Sequence, residues 1–327
     1  MKLIPEWKNH SHCLIAWPCN YDLYKDQIKA ARIEVANLAN QISEEEEVII
    51  YCNTLDFKDC ENIISNNKIN VIEAKLDDSW MRDIAPIFYK DDSKLKTASF
   101  NFNGYGKYPN FENDNKISEI ISQQFKLKST QLNITLEGGA ITYDDKGNLF
   151  TTESVLLNPN RDNENKKIIE HKLIELFDLN KIIWFPDGLE EDDTDGHIDN
   201  ILAPVGDSKY LLACSKQEGS HNSKTLNLCK EILEKELISQ DIKSTIIEIP
   251  LPSEVIINGN KLVASYINFY FTKDSIYMPK FNVKEDEVVY DIFQSVFFEK
   301  KIKMLDTRNI NYGGGNIHCI TMNIPQL

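Results

Sequence analysis

A glycine triplet, Gly313-Gly314-Gly315, runs into Asn316, Ile317, His318 and Cys319 near the C-terminal end of the chain. Three glycines open backbone conformations closed to other residues and let another group approach closely. A thiol just beyond such a turn is placed as a nucleophile would be. The same thiol buried on a strand would be inert, and residue type alone leaves both readings open. Upstream, Asp193, Asp195, His197 and Asp199 recur at alternate positions. On a strand, His197 and Asp199 would project to one face with Ile198 on the other. An imidazole there can act as acid and base near neutral pH, though His-x-Asp is equally the pattern of a structural hydrogen-bonded pair. Asp193 and Asp195 also suit a turn before that strand. Asp83 and Glu137 add two further carboxylates, the second just before Gly138-Gly139. Carboxylates around a thiol favour a cation. A planar guanidinium fits best, because it offers paired donors to a carboxylate. Trp80, three residues before Asp83, can cover a cation with its ring face or simply pack in a core. His318 would face away from Cys319 on a strand, so it is not read as the base. A second spaced histidine and any Cys-x-x-Cys pair are missing, which argues against a metal site.

Composition narrows the setting. The chain has 327 residues, 42% hydrophobic and 27% charged, as in soluble globular proteins. Its formal net charge of −15 argues against a nucleic-acid partner, which would require a basic face. Seven cysteines, an odd number in a long chain, do not suggest a disulfide framework. The N-terminal residues do not read as a signal peptide, and no apolar run reaches membrane-spanning length. A cytoplasmic protein, without a membrane partner, is the expectation.

The elements that must position these residues repeat. Four hairpins are predicted, Ile84–Tyr89 with Lys96–Phe102, Ala140–Tyr143 with Asn148–Thr152, Ile198–Pro204 with Lys209–Ala213, and Tyr266–Phe271 with Ser275–Pro279. A fifth begins at Ile317–Met322. Each complete hairpin is followed by a helical pattern and one more strand. The fifth lacks that tail, and the N-terminal region supplies it as strand Cys13–Trp17, helix Lys25–Ile42 and strand Glu47–Cys52. Five strand-strand-helix-strand units, one split between the two ends, predict a closed ring. An open α/β sheet is the competing reading. In a ring, Asp83, Glu137, the 193–199 run, Asn268 and Cys319 all fall where a unit begins and would converge on one site. No linker marks a second domain, so residues 1–327 are expected to form a single catalytic domain.

The motifs resemble those of the agmatine deiminases, within the guanidine-modifying superfamily that includes arginine and peptidyl-arginine deiminases. The matching stretches are 80–83, 136–140, 156–161, 193–200, 265–270 and 313–321, in family order. The resemblance implies a five-bladed α/β propeller of the pentein type. It implies hydrolysis of agmatine to N-carbamoylputrescine and ammonia, a step towards putrescine, without a cofactor. Cys319 would form an amidino-cysteine intermediate and His197 would protonate the leaving ammonia and then activate water. Asp83 and Asp199 would grip the guanidinium, Glu137 would orient His197, and Trp80 and Asp193 would line the site and meet the far amine. The expected partner is a small cationic guanidine, and a homo-oligomer is expected. Free arginine, peptidyl-arginine and a non-catalytic scaffold are the alternatives. Ala85 stands where the family usually has glycine, and the loop 102–108 is one residue shorter than its counterpart, which bears on substrate choice.

Overall fold

In a computed structural model of the chain, which describes residues 1–64 and 66–327, the elements form a mixed α/β fold. Among the described residues, five sheets share one pattern. In each, an antiparallel pair is extended by a parallel strand. Ile87–Asp91 pairs with Lys94–Asn101, which pairs in parallel with Ser129–Thr135. Ile141–Tyr143, Asn148–Thr152 and Lys181–Phe185 repeat this, as do Leu202–Pro204, Lys209–Cys214 and Thr245–Pro250. Tyr270–Phe271, Ser275–Lys280 and Lys301–Asp306 make the fourth. The fifth joins both ends of the chain: Thr321–Pro325 pairs antiparallel with His10–Ala16, which pairs in parallel with Glu47–Cys52. The expected split unit is therefore present, with Thr321 opposite Ile15. A strand at Ile69–Glu73 extends it. A small separate hairpin, Val255–Ile257 with Asn260–Leu262, was not anticipated.

Parallel extension needs a crossover, and helices supply it. The helix Lys166–Phe177 buries Ile169, Leu173, Leu176 and Phe177, the three- and four-residue steps visible in the sequence. Asn165 caps its start and Asp178, at φ 51°, ends it in the left-handed conformation. The helix His221–Ser239 buries Leu226, Cys229, Leu233 and Leu237, and Ser220 caps it by accepting from the Ser223 N–H at 3.1 Å. Each such apolar side chain contributes roughly 1.5–3 kcal/mol by leaving water. Among the described residues, no helix is long and apolar enough to cross a membrane.

The strands begin later than the sequence pattern placed them. The stretches Met81–Ile84, Gly138–Ala140, Ile198–Asn200 and Ile317–Ile320 are single helical turns, and the strands start after them. The physical reason is backbone satisfaction. These segments are buried and join no strand ladder among the described residues, so their N–H groups bond locally, Ala85 to Met81 at 3.0 Å, Ile201 to Ile198 at 2.9 Å and Ile320 to Asn316 at 3.0 Å. Two expectations fail with this. His197 and Asp199 do not alternate along a strand, and His318 does not point away from the site beside Cys319. Ala85 has an extended backbone at φ −75°, which any residue adopts, so alanine fits there without strain.

Candidate active site

These turns deliver the reactive side chains. Asp83 lies in the first turn, Asp199 in the third with His197 just before it, and Cys319 in the last. Glu137 immediately precedes the turn at Gly138, and Asn268 sits in the bend before Tyr270. All six are buried. Gly139 marks where they meet: a β-carbon there would lie 2.6 Å from His197 Nδ1, 2.9 Å from Asp83 Oδ1 and 3.0 Å from Asp199 Oδ2. Only glycine leaves room for three side chains at that distance.

The thiol is held from two sides. Asn268 Nδ2 donates to Cys319 Sγ at 3.0 Å, and Sγ donates to Asp199 Oδ2 at 3.4 Å. Asn268 Oδ1 in turn accepts from the backbone N–H groups of His318 (2.9 Å) and Cys319 (3.2 Å), so one amide orients both thiol and backbone. His197 stands between two carboxylates, with Nδ1 3.9 Å from Asp83 Oδ1 and Nε2 3.9 Å from Glu137 Oε2. Both its nitrogens, Glu137 Oε2 and Asp199 Oδ1 are buried without a hydrogen-bond partner within the protein. Asp83 is fixed by the Gly139 N–H on Oδ1 at 2.8 Å and the Tyr105 hydroxyl on Oδ2 at 2.9 Å. Glu137 accepts from Arg161 Nε at 2.6 Å, and Arg161 is itself fully buried and ties to Asp195 Oδ2 at 2.7 Å.

Burial and charge set the protonation states. Burial pulls His197 down, but Asp83, Glu137 and Asp199 outweigh it and raise the imidazole to about 9. Burial, together with the charges of Asp199 and Glu137, raises Asp83 to about 6, although His197 and the Gly139 N–H oppose the rise. Asp199 moves the other way: burial would raise it, yet His318 and His197 hold it below the usual carboxylate range. Glu137 is also held low against its burial by His197 and Arg161. Burial and the carboxylates of Asp199 and Asp83 push the Cys319 thiol well above its ordinary value. The centre thus combines a protonated thiol, an imidazolium and carboxylates that lack a full set of partners. Such a centre can take a planar cation, whose charge would ease loss of the thiol proton.

Trp80, Asp83, Tyr105, Tyr108 and Cys319 line the pocket above this centre, with Gly313–Gly315 along one wall. Gly315 packs so closely under Trp80 that a β-carbon would come within 2.5 Å of the indole and 2.9 Å of Cys319 Cβ. Asp193 lies exposed at the rim, and its carbonyl accepts from Lys107 Nζ at 2.7 Å. Lys107 also pairs with Asp195 Oδ1 at 2.8 Å. No group of three or more His, Cys, Asp or Glu side chains suited to a metal ion occurs among the described residues.

Every residue singled out from the sequence lies at this pocket or its floor. Several partners were not singled out. Tyr105 reaches Asp83 from the short loop with its backbone at φ 58°, between Gly104 and Gly106 at φ 63° and 65°. Arg161 closed a matching motif, where its charge was the available signal. His318 was set aside on the strand assumption, and it bonds Asp199 Oδ2 from Nδ1 at 2.9 Å. Glu6, in the N-terminal segment, carried no signal at all.

Comparison with known proteins places the chain in a family. The family model of the Porphyromonas-type peptidyl-arginine deiminases matches residues 2–325. A Mycoplasma capricolum protein named "Putative agmatine deiminase" is 31% identical, covering 98% of this chain and 94% of that protein. A solved C. jejuni agmatine deiminase with substrate bound is 26% identical, with a TM-score of 0.89 over 99% of this chain and 96% of that one. The Enterococcus faecalis agmatine deiminase, at 24% identity and a TM-score of 0.94 over 99% of this chain and 96% of that one, shares the fold. With its length matched almost end to end, the chain belongs to the Porphyromonas-type peptidyl-arginine deiminase family.

Proposed function

We propose that this protein hydrolyses agmatine to N-carbamoylputrescine and ammonia through a covalent intermediate on Cys319. The observation that carries the reading is the meeting of Cys319, His197, Asp83 and Asp199 around Gly139 and beneath Trp80. The guanidinium lies between Asp83 and Asp199, its N–H groups taken by their carboxylates. Its charge offsets the two anions that hold the thiol protonated, so Cys319 can lose its proton to solvent as the guanidinium enters. Sγ bonds to the guanidinium carbon, giving a tetrahedral adduct. The C–N bond to a terminal nitrogen then breaks, and that nitrogen leaves as ammonia with the proton carried by His197. His197, now neutral, takes a proton from water as the oxygen attacks the amidino carbon. The C–S bond breaks, the carbonyl product leaves and Cys319 recovers its proton. Glu137, backed by Arg161, holds the charge opposite His197 through both steps. Trp80 covers the cation and Asp193 at the rim meets the far amine.

The five sheets read as five blades around a central axis, a pentein propeller, with the fifth blade shared by the two ends of a single domain spanning residues 1–327. A homo-oligomer in the cytoplasm is the setting we expect, checked by sedimentation. Free arginine would call for a cation at the rim to hold its α-carboxylate. Lys107, beside Asp193, is already engaged by the Asp193 carbonyl and by Asp195, while Lys25 and Lys261 line the neighbouring cleft. The family name makes peptidyl-arginine the second reading. Ammonia and carbamoyl product measured side by side from agmatine, arginine and a peptidyl-arginine ester separate them. Activity on agmatine alone supports the proposal, and activity on the ester alone overturns it.

A further inference from the structure

His318 is buried between two carboxylates. Its Nδ1 lies 2.9 Å from Asp199 Oδ2 and its Nε2 lies 2.9 Å from Glu6 Oε2. Ionised carboxylates only accept, and a neutral imidazole has one N–H to give. Two such bonds at this distance require both nitrogens to carry hydrogen. The chain continues behind Glu6, whose other oxygen accepts from Arg82 Nη1 at 3.0 Å. Arg82 also reaches the His318 carbonyl through Nε at 3.4 Å. The charged groups facing His318 are therefore Asp199, Glu6 and Arg82, with His10 bonded to the Glu6 carbonyl at 2.7 Å. Asp199 then has one oxygen engaged by His318 and Cys319, while Oδ1 has no partner in the protein.

We propose that His318 is a positioning residue: an imidazolium clamped by Glu6, it occupies one oxygen of Asp199 and keeps the other ionised and directed at the guanidinium. The inference rests on the proposed deiminase reading. Glu6 and Asp199 outweigh the burial and the Arg82 charge that oppose protonation, so His318 sits above its ordinary value. Glu6 is held well below its own against its burial by Arg82 and His318. A segment ahead of the first long strand thereby tunes a carboxylate almost two hundred residues away.

The test uses the full chain and two variants, His318→Gln and Glu6→Gln. In the wild type, the 15N spectrum of labelled histidine, assigned by loss of the His318 signals in His318→Gln, should show both ring nitrogens protonated at pH 7. A neutral His318 at that pH overturns the clamp. In His318→Gln, kcat/KM with agmatine should fall about tenfold or more, mainly through KM, and its acid limb, set in the wild type by Asp83, should steepen and move to higher pH as Asp199 loses its counter-charge and titrates beside it. An equal loss at every pH with an unmoved acid limb would make His318 merely structural. Should His318→Gln not fold, Glu6→Gln carries the same decision, since it should shift the alkaline limb of kcat/KM downwards and an unmoved limb refutes the idea. A wild type inactive on agmatine would refute the agmatine reading, while the 15N spectrum would still decide the clamp.

Discussion

At neutral pH Cys319 is a protonated thiol, because burial and the carboxylates of Asp199 and Asp83 disfavour its anion. The mechanism then predicts a sharp division among substitutions. Cys319→Ala should abolish ammonia release from agmatine while the thermal transition and circular dichroism stay those of the wild type. Asp199→Asn should lower kcat/KM by about a hundredfold or more, since it weakens both the grip on the guanidinium and the thiol's acceptor. The pH dependence has two limbs. Asp83 must be ionised, at about 6, and His197 protonated, at about 9, so kcat/KM should fall below the first value and above the second. Stability carries its own sign. The folded value for His197 lies above its ordinary 6.5, so its contribution is present below 6.5 and lost as pH rises to about 9. The melting temperature should drop across that window, and calorimetry at stepped pH reads it directly. The charged residues proposed to bond the substrate were legible in the sequence because their type alone betrays them. Tyr105, Asn268 and Glu6 were not given roles, because each acts through a partner far away in the chain. Asn268 reaches Cys319, and Tyr105 reaches Asp83.

The single helical turns are the element that strand periodicity misread. A run such as Gly196-His197-Ile198-Asp199 alternates polar and apolar residues as a strand does, and nothing local marks its backbone as coiled. The turn gathers adjacent residues that a strand would send to opposite faces, which is why His318 and Cys319 can share the Asp199 carboxylate. Helices and later strands were legible, because burial imposes the three- and four-residue steps that the sequence displays. The turn at Gly138–Ala140 supplies a test of positioning. In Gly139→Ala the methyl group would push on His197, Asp83 and Asp199 together. Activity should fall by about a hundredfold with the fold retained, as expected for displacements near 1 Å at a reacting centre. By contrast, Ser220→Ala, at the cap of the helix His221–Ser239, should cost about 1 kcal/mol of stability and leave kcat/KM unchanged. Denaturant titration and kinetics on both variants separate the two effects.

Across the whole molecule the two ends of the chain meet in one sheet, and the split unit was legible because its parts were each incomplete alone. Thr321–Pro325 lies against His10–Ala16, and the Gln326 N–H reaches the Asn9 carbonyl at 2.8 Å. A chain stopped after Ile320 should lose the strand that anchors the Cys319 turn and bare the edge of His10–Ala16. Its thermal transition should broaden and its yield of soluble protein fall, and a sharp, unshifted transition would contradict that expectation. The same seam sets the order of events on the ribosome. The strand His10–Ala16 is made well before Thr321–Pro325 and waits, with one side unpaired, until that segment follows. Cys319, the proposed nucleophile, arrives with the segment that pairs with it. A chain not yet made as far as Cys319 lacks the proposed nucleophile, and until then the bare edge of His10–Ala16 is open to pairing with another strand.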